Sequence, residues 1–351
     1  MTNGEPGVAS GKSPEGGWEP AKGDGAEPAS TRLPPSAIRQ CLFLHAGALG
    51  DFVLTLHVAA ALRAAAPRAR ITMAARCPLA AFVVGRGPID AAINLEQLGL
   101  HHLYGHEELP ADLAERLGQY DLAINFLGGR RAHVSDRLRR SAGGAVLSVD
   151  PAWRAGDPVG HITAQWLADL ERAGLALRAQ PHFMLSPSAA ERATARRKLV
   201  ELVGKPSGPL VICQPGSGGR AKCCPLETLE SAVGRLQDRG CGVVWMIGPT
   251  EMDWHGSGYR DRLSRVAPVI YEESIPAAAA LLGGADAFVG NDAGMTHVAG
   301  ALGLRTITLF GPTDPRIWQP LGPAVTVLGF SAASEPALLA TDIAASVNQA
   351  G

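Results

Sequence analysis

Short apolar runs alternate with longer segments of helical periodicity from residue 38 onward, and this alternation constrains the fold more than any other feature. It is typical of a parallel β-sheet covered by helices, because buried strands read as short apolar runs and covering helices as amphipathic segments. The sequence therefore predicts an α/β protein. The runs interpreted as strands are Cys41 to His45, Arg70 to Ala75, Asp121 to Phe126, Ala145 to Val149, Leu210 to Gln214, Gly242 to Ile247, Ala285 to Val289 and Thr306 to Phe310.

The pattern occurs twice, and each half opens with a strand, a glycine-containing loop and a helix. A chain of 351 residues also has the length of about two domains. We expect two Rossmann-like domains facing each other across a cleft, at residues 38–180 and 186–330, followed by a helix within residues 331–351. Ligands of such sheets bind outside the carboxyl ends of the strands, so the loops after strands should hold the functional residues.

Residues 1–37 are expected to form a disordered tail. The whole chain has 42 glycines and 26 prolines, more than is usual, and much of this surplus lies in the tail segment. The segment also has almost no branched apolar side chains. Such a segment cannot bury enough surface to offset the entropy lost on ordering it.

Charge and composition exclude several classes of protein. The chain has 32 basic and 33 acidic residues, which argues against a general nucleic-acid binder. No stretch approaches the roughly 18 to 20 apolar residues of a membrane span, and the first residues lack the pattern of a signal peptide, so we expect a cytoplasmic protein. The six cysteines have no metal-binding spacing and are expected to be reduced, with Cys41 and Cys213 packed in strands.

The first candidate loop, residues 45–51, ends in a carboxylate. Gly47 and Gly50 allow a tight turn and a close approach of the backbone to a ligand. Asp51 could act as a general base that projects into the cleft, or it could simply cap the following helix. Because His45 stands where the dinucleotide fingerprint has its first glycine, the loop argues against an NAD site.

The second loop, residues 214–222, combines glycines with Ser217, Arg220 and Lys222. It is not an ordinary P-loop, because Cys223 follows Lys222 where that motif has Ser or Thr. A lysine in a glycine-rich loop still suits a phosphate or diphosphate leaving group, whose developing negative charge it would stabilise. The alternative is a solvated basic loop.

The third loop, residues 290–297, lies between a strand and a helix. The N–H groups of Gly294, Met295 and Thr296 at the helix start, together with the Thr296 hydroxyl, would form an anion site. His297 lies in the first helical turn and could merely pack.

Two more residues follow strands. Thr313 lies in a proline-flanked turn, residues 311–315, that could also be a plain turn, and Glu251 could bind ribose hydroxyls or be a solvated surface residue. Three anion-suited loops in one half and a strand-end carboxylate in the other indicate a nucleotide-diphosphate donor facing a base. That is the layout of a two-domain sugar transferase.

The order of these motifs resembles glycosyltransferase family 9, the ADP-heptose:lipopolysaccharide heptosyltransferases, whose fold is GT-B. The similar segments are residues 47–51 with 54–56, residues 215–217 with Lys222 and Pro225, residues 290–292 with Gly294 and His297, and residues 310–315. Together they span roughly residues 40 to 320.

The resemblance implies inverting, metal-independent transfer of a heptose or related sugar from a nucleotide-diphosphate donor, ADP-heptose being expected. The acceptor would be similar to lipopolysaccharide core, at the cytoplasmic face of the inner membrane, and no cofactor is implied. Asp51 would be the general base, and Lys222 would lie near the donor phosphates. Arg130 and Arg131 could bind acidic groups of the acceptor, although a solvated arginine pair fits the sequence equally. The implied donor-binding residues are Gly47, Gly50, Ser217, Glu251, Asp292, Gly294, Met295, Thr296, His297 and Thr313.

The chain departs from the family's usual pattern at several positions. His45 stands where Arg is common, His57 where Pro is usual, Cys224 in place of Trp, and Ala293 in place of a hydroxyl residue. The base and the lysine are retained, but donor and acceptor remain open. A GT-B transferase with another nucleotide-sugar and a GT-B-like binding protein without transfer activity are the alternatives, and an NAD-dependent enzyme is the least favoured.

Overall fold

A computed structural model describes residues 32–105, 107–127, 132–154, 156, 160–180 and 183–348. The described chain begins within the segment expected to be a tail. There the Leu33 N–H donates to the Gly174 carbonyl over 3.0 Å, and Pro35–Ala37 form one 3-10 turn.

The first half contains a five-stranded sheet in the order β3-β2-β1-β4-β5, in which all pairs are parallel. The strands are β1 (Gln40–His45), β2 (Arg70–Ala75), β3 (Ala91–Asn94), β4 (Leu122–Asn125) and β5 (Ala145–Ser148). Its helices are α1 (Leu49–Ala65), α2 (Leu79–Val83), α3 (Ala111–Gly118), α4 (Ala132–Ser141) and α5 (Ile162–Arg172).

The second half contains a six-stranded parallel sheet in the order β11-β10-β9-β6-β7-β8. Its strands are β6 (Leu210–Gln214), β7 (Gly242–Ile247), β8 (Val269–Tyr271), β9 (Ala287–Asn291), β10 (Arg305–Phe310) and β11 (Val325–Gly329). Its helices are α6 (Ala189–Val203), α7 (Leu226–Asp238), α8 (Pro249–His255), α9 (Gly258–Ser264), α10 (Ile275–Leu282), α11 (Gly294–Ala301), α12 (Pro315–Trp318) and α13 (Pro336–Asn348). In the described part of the chain, no helix combines the length and apolar character needed to cross a membrane.

These two sheets confirm the predicted α/β class, and the central strands agree closely with the apolar runs. The strands that the sequence did not reveal are β3, β8 and β11, each at an edge of its sheet. Edge strands are covered less completely, and these have mostly half-buried or exposed residues, so they lack the continuous apolar run of a central parallel strand. Cys41 and Cys213 are buried in β1 and β6, as expected, and all six cysteines are free.

The two halves meet where α1 crosses α11. Gly294 begins α11 directly against Leu49 at the start of α1, and a methyl group on Gly294 would lie 2.7 Å from the Leu49 Cβ. Likewise, a methyl group on Gly50 would lie 3.1 Å from the His297 ring. Both glycines therefore allow a close helix crossing, and one hydrophobic cluster continues from the first half into the second.

Gly294→Ala should lower the free energy of unfolding by about 1–3 kcal/mol, because the added methyl group forces the two helices apart. The matched control is Gly234→Ala in α7, where the methyl group would point into open space. That change should raise the free energy of unfolding by about 0.5–1 kcal/mol, since alanine favours helix more than glycine. Chemical denaturation measures both values. Equal effects of the two substitutions would refute the tight crossing.

Candidate active site

A cleft lies at the carboxyl ends of the strands where each sheet reverses its strand order. The reversal falls between β1 and β4 in the first sheet and between β6 and β9 in the second, which is where ligands bind in doubly wound sheets. The cleft has a volume of about 260 Å³. It is lined by Ala48, Gly50, Asp51, Leu54, Ser217, Gly218, Lys222, Asp292, Ala293, Gly294, His297, Thr313 and Trp318.

Asp51 is the carboxylate that the first half contributes to this cleft. It is the third residue of α1, whose N-cap is Ala48, and from there it binds the Ala48 backbone as the acid of a capping box does. Burial raises the pKa of Asp51, while a hydrogen bond with the Ala48 backbone and the charge of Lys222 lower it and the charge of Asp292 raises it. A carboxylate with a raised pKa in a cleft is suited to accept a proton.

The second half places a lysine and a carboxylate opposite Asp51. The Lys222 Nζ lies 2.7 Å from the Asp292 Oδ2, and the Thr313 hydroxyl donates to the same oxygen over 2.7 Å. Asp292 is 6% exposed, whereas the Lys222 side chain retains 37% exposure and faces the cleft. Lys222 is thus held by a buried partner and is not a solvated loop residue.

Hydrogen bonds around Asn291 fix the loops that carry these groups. The Asn291 side chain accepts from the Cys224 N–H over 2.8 Å and donates to the Pro215 carbonyl over 2.8 Å. The Thr296 hydroxyl donates to the Asn291 carbonyl, and the Ser217 hydroxyl donates to the Asp292 carbonyl. Both hydroxyls therefore bind the protein's own backbone. The sequence did not single out Asn291, because its role depends on partners about 70 residues away in the chain.

The start of α11 faces the cleft and presents backbone N–H groups. Its N-cap residue, Ala293, provides no capping side chain, so the N–H groups of Gly294 and Met295 are available to an anion. The Thr296 N–H, which the sequence also assigned to the anion site, instead donates to the Ala293 carbonyl over 3.1 Å. His297, one turn further, lines the cleft although it is only 5% exposed. Burial lowers the pKa of His297 to about 4. The charge of Asp292 opposes this shift, whereas the charges of His161 and Lys222 add to it. His297 is therefore neutral near pH 7.

Glu251 is buried beside the cleft, which rules out the alternative of a solvated surface residue. It is 3% exposed, accepts a hydrogen bond from Gln214 over 3.1 Å and binds the Gly248 N–H over 3.0 Å. A methyl group on Gly216 would lie 2.1 Å from a Glu251 oxygen, so only glycine allows the second loop to cover this carboxylate.

The structure brings most of the predicted site residues together, namely Gly50, Asp51, Ser217, Lys222, Asp292, Gly294, His297 and Thr313. Gly47, Glu251, Met295 and Thr296 lie nearby without lining the cleft, and Arg130 and Arg131 are outside the described residues. Besides Asn291, sequence reasoning missed Trp318, which lines the cleft, and His161. His161 caps α5 and lies with its Nε2 2.9 Å from the Gln319 carbonyl, which links the first half to the loop after Trp318.

Larger cavities occur elsewhere in the described chain, and two of them, of about 490 and 500 Å³, contain none of the predicted residues. In the first of these cavities, Arg63 forms an ion pair with Asp90 and Arg86 forms one with Glu191, so both guanidinium groups already have partners. Over the described ranges, no group of three or more His, Cys, Asp or Glu residues could hold a metal ion.

Comparisons with known proteins are consistent with this geometry. The lipopolysaccharide heptosyltransferase 1 of Pseudomonas aeruginosa is 30% identical over 142 residues, which is 39% of this chain and 38% of that relative. The chain thus spans less than two fifths of that curated relative's length. Two solved structures share the fold at 18% identity: a glycosyl transferase family 9 protein from Veillonella parvula and the Escherichia coli ADP-heptose LPS heptosyltransferase II. Their TM-scores are 0.66 and 0.65, with 85% and 88% of this chain and 88% and 98% of theirs covered.

The family model for glycosyltransferase family 9 (heptosyltransferase) matches residues 167–347, slightly more than half of the chain. This match confirms the family that the motifs predicted, and the similar structures confirm the GT-B fold. The chain belongs to glycosyltransferase family 9.

Proposed function

We propose that this protein is an inverting, metal-independent glycosyltransferase that moves a heptose or related sugar from ADP-heptose to an acceptor similar to lipopolysaccharide core. The observation that carries the proposal is the cleft itself, in which the Asp51 carboxylate of one half faces Lys222 and the N-terminus of α11 in the other. The E. coli protein that shares this fold is an ADP-heptose LPS heptosyltransferase, which supports the choice of donor.

In this proposal, residues 186–330 bind the donor and residues 38–180 receive the acceptor. The N–H groups at the start of α11 and the Lys222 ammonium bind the diphosphate, and Asp292 and Thr313 lie beside the sugar. Glu251 is proposed to bind the ribose, which requires the covering Gly216 loop to move, because both carboxylate oxygens are engaged in this structure.

The chemistry follows from these charges. Asp51 removes the proton of an acceptor hydroxyl as its oxygen attacks the anomeric carbon, and the bond from that carbon to the diphosphate oxygen breaks. The electron pair remains on the departing ADP, where Lys222 and the helix N-terminus stabilise the added charge without a metal ion. Attack from the side opposite the leaving group inverts the anomeric centre. We propose that the reaction occurs at the cytoplasmic face of the inner membrane.

A donor screen tests the function. ADP-heptose should raise the melting temperature more than UDP-glucose or NAD, because a ligand that binds only the folded state stabilises it by about 2.7 kcal/mol at 100 times its Kd. ADP release from ADP-heptose, with heptose-free lipopolysaccharide as acceptor, should be unchanged by EDTA. Stabilisation without ADP release would instead favour a GT-B-like binding protein, and a response to another nucleotide-sugar would change the donor.

A further inference from the structure

His45, at the end of β1, is a buried histidine whose hydrogen-bonding capacity is unused. It is 1% exposed, and its ring contacts Phe52 and Phe126, with ring centroids 5.8 and 6.3 Å away. Its Nδ1 is buried without a hydrogen-bond partner, and none of the side-chain hydrogen bonds found among the described residues involves its Nε2. Buried polar side chains nearly always have a hydrogen-bond partner. The described part of the protein supplies none to the His45 ring, so a bound ligand could supply it.

The His45 Nε2 and the Asp51 carboxylate both lie beside Gly47. A methyl group on Gly47 would lie 3.0 Å from the His45 Nε2 and 3.2 Å from the Asp51 Oδ2. The two atoms are therefore no more than about 6 Å apart, yet they form no direct hydrogen bond. One oxygen atom with two hydrogen bonds of roughly 2.8 Å each bridges any separation up to about 5.6 Å, which covers most of the range that this bound allows.

The protonation state of His45 follows from its surroundings. Burial lowers the pKa of His45 to about 4, so the ring is neutral near pH 7. A buried N–H without a partner is rarer in proteins than a buried acceptor without one. Because the Nδ1 of His45 has no partner, the favoured tautomer has its proton on Nε2 and only a lone pair on Nδ1. The N–H of this tautomer lies within about 6 Å of the Asp51 Oδ2.

We propose, on the basis of the proposed function, that His45 binds the attacking hydroxyl of the acceptor together with Asp51. The His45 Nε2–H donates to the hydroxyl oxygen, and the Asp51 carboxylate accepts the hydroxyl proton. The hydroxyl oxygen is then held by its bond to carbon, by the hydrogen bond that its proton makes to Asp51 and by the hydrogen bond that it accepts from His45. Its remaining lone pair is directed at the anomeric carbon. As the new C–O bond forms, the proton moves to Asp51 and the bond to ADP breaks, while His45 keeps its own proton.

The partnerless nitrogen alone does not distinguish His45, because His57 has one as well; the position of His45 beside the Asp51 carboxylate does. Phenylalanine would fill the same space between Phe52 and Phe126 and would leave no nitrogen without a partner. An unsatisfied buried polar group costs about 1–3 kcal/mol, so the histidine is retained at a cost to stability.

Variants of His45 test the proposal in the full-length protein. His45→Phe should lower kcat/KM for heptose-free lipopolysaccharide about 10- to 100-fold, leave the KM for ADP-heptose within about twofold, and keep or raise the melting temperature. His45→Gln retains a side-chain N–H donor and should recover activity to within about fivefold of the wild type. The matched control is His57→Phe, since His57 is also buried with a partnerless Nε2 but packs on Phe183, and this variant should keep full activity.

The outcomes separate this proposal from the proposed function. A wild-type protein that releases no ADP from ADP-heptose would overturn both. Wild-type activity in His45→Phe would overturn only the role of His45. Equal losses of activity in the Phe and Gln variants, accompanied by lower melting temperatures, would also overturn it, because they would indicate a structural role.

Discussion

Asp51→Asn should lower kcat by about 1,000-fold while the affinity for ADP stays within about twofold of the wild type. Asparagine has nearly the same shape and can still accept a hydrogen bond from the Ala48 backbone, but it cannot take up a proton. The folded protein should not lose stability at pH 7. Because burial raises the pKa of Asp51, the folded state disfavours the charged form that a neutral amide replaces. Steady-state ADP release measures kcat, and calorimetric titration measures ADP binding.

The pH dependence gives an independent readout of the same residue. Asp51 must be deprotonated to act as a base, so kcat/KM should fall as the pH drops through its raised pKa, and this acid limb should lie above the ordinary range of an aspartate. Residual activity in Asp51→Asn should lack that limb. Asp238→Asn, at the exposed end of α7, is the charge-matched control and should behave as the wild type. Full turnover in Asp51→Asn would exclude Asp51 as the base.

The sequence predicted the fold class because the central parallel strands are covered on both faces and so appear as continuous apolar runs. Strands β2, β6 and β7 coincide with the predicted ranges. It also predicted the position of the cleft, since the candidate loops follow β1, β6, β9 and β10, the strands at or next to the two reversals of strand order.

The sequence did not predict how residues use their polar groups, because these uses depend on contacts between distant segments. The hydroxyls of Ser217 and Thr296 were natural candidates to bind phosphate, but both bind backbone carbonyls, those of Asp292 and of Asn291 at the end of β9. His45 was noted only as a departure from the dinucleotide fingerprint and from the family pattern, and its relation to Asp51 depends on the fold of the loop around Gly47. The crossing of α1 and α11 likewise joins glycines about 240 residues apart.

Lys222→Met should reduce kcat about 100- to 1,000-fold and also weaken ADP binding. Methionine keeps most of the aliphatic length of lysine but removes the charge that stabilises the departing diphosphate, an interaction worth roughly 3–4 kcal/mol in a transition state. The same change leaves the buried Asp292 carboxylate with Thr313 as its side-chain donor. A loss of unfolding free energy of about 1–3 kcal/mol should accompany it, less than for a fully buried pair because the Lys222 side chain is 37% exposed.

A double variant separates the two roles of Lys222. In Lys222→Met/Asp292→Asn the buried carboxylate is replaced by a neutral amide that can still accept from Thr313, so the melting temperature should return towards the wild-type value. Turnover should not return, because the positive charge near the leaving group is still absent. If the double variant recovered both stability and turnover, Lys222 would serve only to neutralise Asp292, and the leaving group would have to be stabilised by the N-terminus of α11 alone. A loss of turnover that persists at restored stability, and that exceeds the loss in Asp292→Asn alone, is therefore the result that assigns Lys222 to the chemical step.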